Sequence, residues 1–95
     1  MILWIRGARK SGKTTLAKEL AWKMDAIHLD GDDIRASISK DLSFSEEDRT
    51  ENNERIARLA KILENQGFDV VISTICPDYV KESVFYITGC RFIEL

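Results

Sequence analysis

The sequence contains no apolar run long enough to cross a bilayer; its longest, Met1 to Ile5, falls far short of a spanning helix. It also has no excess of basic residues. Fourteen Lys and Arg against 16 Asp and Glu leave a formal net charge of −2. Such a surface carries no broad field to attract nucleic acid or an anionic membrane, so any anion must be held by a local site. Cysteine is scarce. Cys76 and Cys90 form no metal-ligand spacing and are too few for a disulfide framework. Proline occurs once, at Pro77, and no repeat, low-complexity tract or linker interrupts the chain. No signal peptide is expected ahead of the first apolar run. A cytoplasmic protein with reduced thiols is the expectation.

What is present fits one small domain. The 95 residues are 44% hydrophobic and 32% charged, ordinary values for a globular protein. Met1-Ile2-Leu3-Trp4-Ile5 reads as a strand buried on both faces of a parallel sheet. From Lys13 to Met24, Leu16, Ala17, Leu20, Ala21 and Met24 recur at helical spacing. Residues 26–29 read as a second strand, closed by the acidic turn Asp30-Gly31-Asp32-Asp33, with a short helix from Asp33 to about Ser39. Ser45-Glu46-Glu47-Asp48 has the form of a capping box opening a helix whose apolar stripe is Ile56, Leu59, Ala60 and Leu63, with Gly67 as its stop. Val70 to Ile75 and Phe92 to Leu95 read as two more strands. Alternating strands and helices predict right-handed βαβ units: an α/β, P-loop NTPase-like domain of three α/β/α layers around a parallel sheet of about four strands.

Between the first strand and first helix lies Gly7-Ala8-Arg9-Lys10-Ser11-Gly12-Lys13-Thr14, a match to G-x-x-x-x-G-K-[ST] with Thr15 following. Glycines let this backbone curl so that several N–H groups point at one phosphate, and the helix adds its positive N-terminal end. Lys13 would reach the β- and γ-phosphates of a triphosphate such as ATP, and the Thr14 hydroxyl would hold Mg²⁺. A chance match in so short a chain is roughly a few in a thousand.

Asp30-Gly31-Asp32 follows the second strand, which in an open α/β sheet lies near the phosphates. A carboxylate there can orient Mg²⁺ water or accept a proton from an acceptor hydroxyl. The residues alone equally allow an acidic turn that caps the next helix. Arg49 and Asn52 stand near the start of a charged helix, where solvated side chains are common, and Phe44 is placed to staple that helix. His28 on its strand reads as a packed core residue, and Trp4 and Trp22 as core or interface.

Three further strings resolve these choices: Leu29-Asp30-Gly31-Asp32-Asp33-Ile34-Arg35, the run Phe44-Ser45-Glu46-Glu47-Asp48-Arg49-Thr50-Glu51-Asn52-Asn53-Glu54-Arg55-Ile56, and Ser73-Thr74-Ile75-Cys76-Pro77. In order and spacing they resemble L-D-G-D-x-[IL]-R, F-S-x-x-D-R-x-E-N-x-R-[IR] and S-x-I-S-P of adenylylsulfate kinases, over roughly residues 1–77. Phe92-Ile93-Glu94-Leu95 is similar to the family's F-[IV]-E-V strand. The resemblance implies ATP-dependent phosphorylation of the 3′-hydroxyl of adenosine 5′-phosphosulfate, with Mg²⁺. It implies Asp32 as the acid that receives the hydroxyl proton and as a metal residue beside Thr14, with Asp30 supporting Mg²⁺ or the acceptor. Arg35, Arg49 and Asn52 would hold the phosphosulfate end, Phe44 would stack on the adenine, and Ile75 would line the same pocket. Gluconate- or antibiotic-type kinases share the P-loop and D-G-D but lack the F-S-x-x-D-R-x-E-N string.

The chain departs from that pattern in three ways. Arg9-Lys10 replaces the Ser-Gly of the family's G-L-S-G loop, putting a side chain where glycine is usual. Thr74 and Cys76 replace an aromatic and a serine. The family's kinases run to about twice this length, with a lid and a base-gripping loop. Residues 1–95 therefore read as a single truncated P-loop kinase-like domain. Its segment between Pro77 and Arg91 looks short for a full crossover helix, and slow or absent turnover is expected. An exposed sheet edge would favour a homodimer. Alternatively, the domain would bind nucleotide without turning it over.

Overall fold

A computed structural model describes all 95 residues. Strand β1 (Ile2–Arg6) leads through the glycine-rich loop to helix α1 (Lys13–Met24), and β2 (Ile27–Asp30) follows. Helix α2 (Gly31–Ala36), helix α3 (Glu46–Asn65), β3 (Val70–Thr74), α4 (Asp78–Thr88) and β4 (Arg91–Glu94) complete the chain. The four strands form one parallel sheet in the order β2-β3-β1-β4. No helix is long and apolar enough to cross a membrane.

Each face of the sheet buries its own core, as a near-continuous apolar strand requires. Leu3, Ile5 and Val71 pack with Ala17 and Ala21 of α1. Ile2, Trp4, Val70 and Ile72 pack on the other face with Ile56, Ala57 and Ala60 of α3 and Val80 and Val84 of α4. The expected three layers are therefore present. Trp4 is fully buried, and its indole N–H donates to Thr74 Oγ1 at 2.9 Å. Thr74 Oγ1–H in turn donates to Asn53 Oδ1 at 2.9 Å, so one polar chain crosses from β1 through β3 to α3 inside the apolar core. Trp22 is 87% exposed and belongs to no core.

Each strand lies within one residue of its expected ends, and helices α2 and α4 differ more. Helix α2 begins at Gly31, two residues early, because the Asp30 carboxylate accepts the Asp32 N–H and caps it there. It ends at Ala36. The segment after Pro77, expected to be too short for a crossover helix, forms the 11-residue α4, which Gly89 closes in the left-handed conformation at φ 62°. Helix α3 opens as expected on the Ser45 cap, whose Oγ accepts the Asp48 N–H at 3.2 Å.

Candidate active site

Parallel strands bring the ends of β1, β2 and β3 to one edge of the sheet, where Thr14, Asp30 and Ser73 meet. The loop between β1 and α1 turns through Gly12 at φ 89°. Lys10 is also left-handed, at φ 62°, although it carries a side chain. That conformation costs a non-glycine residue about 1 kcal/mol. At Gly7 a Cβ would stand 2.8 Å from Ser11 Oγ and 2.9 Å from the Leu95 carbonyl, so only glycine fits. Lys13 Nζ donates to the Ala8 carbonyl at 3.0 Å and so stays within the loop. Lys10, Gly12, Lys13, Thr14 and Thr15 line an open depression of about 200 Å³, with Ala8 and Arg9 exposed beside it.

Asp30 ties this loop to the next strand. Its Oδ1 accepts the Thr14 hydroxyl at 3.0 Å and the Ser73 hydroxyl at 2.8 Å, and its Oδ2 accepts the Asp32 N–H at 3.1 Å. Burial disfavours its charge, but the donors from Ser73, Thr14 and Asp32 outweigh burial and hold its pKa below the ordinary value. Asp30 is thus a fixed carboxylate, whereas Asp32, one residue into α2, is exposed and its side chain makes no hydrogen bond. Only the backbone of Asp32 touches Asp30.

His28 is the residue that sequence reasoning misassigned. It is half-buried rather than packed in the core, and its Nε2 lies 2.7 Å from Ser73 Oγ. Burial lowers its pKa, so the ring is neutral near pH 7. Asn53 and Thr74 were missed as structural polar groups, because their partners lie 21 and 70 residues away.

The acceptor candidates lie on α2, α3 and the intervening loop. Arg35 donates to the Ser43 carbonyl at 2.9 Å, and its guanidinium stands 4.5 Å from the centre of the Phe44 ring. Phe44 is 69% exposed, so it is no staple under α3 and retains open ring surface. Arg49 is exposed in the first turn of α3 and enters no ion pair. Asn52 is buried with Oδ1 unpartnered. Ile75 is exposed just beyond β3. The next residue, Cys76, is buried at φ 44°, and burial pushes its thiol up to about 11. No hydrogen bond joins Asp32, Arg49 or Asn52 to the phosphate loop.

Thr14, Asp30 and Asp32 present hard oxygen atoms, which suit Mg²⁺. The chain builds no cluster of three His, Cys, Asp or Glu able to cage a metal by itself. Mg²⁺ is commonly held by one or two carboxylates plus substrate phosphates, which these residues could supply without a cage.

A parallel sheet of this order, a phosphate loop between β1 and α1, and a carboxylate turn after β2 define a P-loop domain of the kinase type. The family model for adenylylsulphate kinase matches residues 1–91, and the chain belongs to that family. An adenylyl-sulfate kinase of Pseudomonas aeruginosa is 44% identical over 81 residues, covering 80% of this chain and 41% of the relative. One from Paraburkholderia xenovorans is 37% identical over 99% of this chain and 56% of the relative. The chain thus spans about half the length of these curated relatives. Among solved structures, the Mycobacterium tuberculosis APS kinase in complex with AMPPNP and APS superimposes with a TM-score of 0.84. It shares 31% identity over 98% of this chain and 59% of its own.

Proposed function

We propose that this chain binds ATP with Mg²⁺ at its phosphate loop and phosphorylates the 3′-hydroxyl of adenosine 5′-phosphosulfate held beside it. The observation that carries this reading is the Thr14–Asp30 hydrogen bond, which joins the phosphate loop to the D-G-D turn. Relatives named adenylyl-sulfate kinase support it, as does the solved relative bound to an ATP analogue and APS.

The residues divide the work by their surroundings. Loop N–H groups from Gly7 to Thr15 and the start of α1 receive the β- and γ-phosphates. Lys13 exchanges the Ala8 carbonyl for phosphate oxygen. Mg²⁺, when bound, would neutralise charge between those phosphates, with Thr14, Asp32 and the fixed Asp30 carboxylate around it. Thr14 spends its one hydroxyl proton on Asp30, so its oxygen faces a ligand with lone pairs only. Asp32 has no competing partner and takes the 3′-hydroxyl proton. Arg35 and Arg49 hold phosphate and sulfate oxygens, Asn52 has hydrogen-bonding capacity to spare, and Phe44 offers its open face to adenine beside Ile75. The free thiols Cys76 and Cys90 suit a reducing cytoplasm.

Binding without turnover is the second reading, favoured by the open depression at the loop, which leaves a bound phosphate accessible to water. Calorimetry with ATP and adenylylsulfate, run beside a coupled ADP-release assay, separates the two. Adenylylsulfate-dependent ADP release supports the kinase; binding with no release supports the module; no binding of either nucleotide contradicts both.

A further inference from the structure

His28 lies on the edge strand β2, in register with Val71, and Asp30 lies in register with Ser73, so all four share the face that packs on α1. His28 Nε2, Ser73 Oγ, Asp30 Oδ1 and Thr14 Oγ1 form one continuous chain with steps of 2.7, 2.8 and 3.0 Å. The direction of every proton in it follows from chemistry. An ionised carboxylate only accepts, so both hydroxyls must donate to Asp30. Ser73 has one proton, already committed, and can therefore only accept from His28. The imidazole must carry its proton on Nε2.

We infer that His28 and Ser73 are positioning residues: their directed relay fixes the Asp30 carboxylate and, through it, turns the Thr14 oxygen lone pairs toward a metal–nucleotide ligand. An apolar side chain at position 28 would preserve the strand, but Ser73 would lose its donor and keep only its bond to Asp30, so its oxygen would be held from one side instead of two. Ser73 is buried, so no bulk water takes over the role of His28. The effect on metal-assisted nucleotide binding rests on the proposed ATP site; the relay itself does not.

Two measurements test it separately. ¹⁵N NMR of the nucleotide-free chain should find the His28 proton on Nε2, and Ser73→Ala should turn that signature into a tautomer mixture. A ring protonated on Nδ1, or a spectrum indifferent to Ser73→Ala, overturns the relay. Calorimetry with AMPPNP should then show that His28→Leu and Ser73→Ala each cut the affinity gained on adding Mg²⁺ by about tenfold. Affinity without Mg²⁺ should stay unchanged. His28→Gln, whose amide N–H replaces Nε2–H, should restore most of the gain. An undiminished gain in folded His28→Leu, or no restoration by His28→Gln, overturns the positioning role. If the wild-type chain binds no AMPPNP, the ATP site fails and the NMR arm still decides the relay.

Discussion

Lys10 illustrates how a single residue departs from the family pattern at a local cost. It stands where the resembling motif has glycine, and it adopts the left-handed conformation that glycine would take freely. Lys10→Gly should therefore raise stability by about 0.5–1 kcal/mol in urea unfolding, less the entropy glycine adds to the unfolded chain. A destabilised variant would contradict the strain. Lys13→Ala should weaken triphosphate binding about 30-fold with the fold intact, since it removes a charge-assisted contact of about 2 kcal/mol. Unchanged ATP affinity would contradict the phosphate-loop reading. Single residues were legible where a motif named them: Thr14 hydrogen-bonds Asp30, and Lys13 folds back onto the Ala8 carbonyl of its own loop. His28 was not, because a lone histidine among apolar neighbours looks like core until Ser73, 45 residues away, is folded against it.

At the scale of elements, helix starts were readable where a side chain caps its own helix. Ser45 is such a case, and Asp30 caps α2 while also serving the phosphate loop. That double duty moved the start of α2 two residues early. The crossover helix α4 was underestimated because 11 residues suffice when Gly89 turns the chain directly into β4. Asp30 carries a pH consequence. Its folded pKa is depressed, so its contribution is full above the ordinary carboxylate range and is lost as pH falls through the folded value. Thermal unfolding should show stability falling below about pH 4, and Asp30→Asn should flatten part of that slope. An identical pH profile in the variant would refute the assignment. The Trp4–Thr74–Asn53 chain makes a second prediction. Thr74→Val keeps the shape but strands the indole N–H and the Asn53 carbonyl, and should cost about 1–3 kcal/mol in urea unfolding. A neutral substitution would mean that buried water replaces the hydroxyl.

For the molecule as a whole, the fold was legible because two apolar central strands and two mixed edge strands are separated by helices, and parallel pairing leaves little other topology. The acceptor half was less so: its residues lie on α2, α3 and a loop, and only the resemblance joined them. The proposed function requires these residues to stand beside the phosphate loop, with donor and acceptor nucleotides bound in adjoining sites together. The direct measurement is calorimetric titration of adenylylsulfate into the chain saturated with Mg²⁺ and AMPPNP. One adenylylsulfate should bind per chain, with affinity reduced about tenfold or more in Arg35→Ala and in Arg49→Ala while AMPPNP stays bound. Displacement of AMPPNP by adenylylsulfate, or binding indifferent to both arginines, would contradict it.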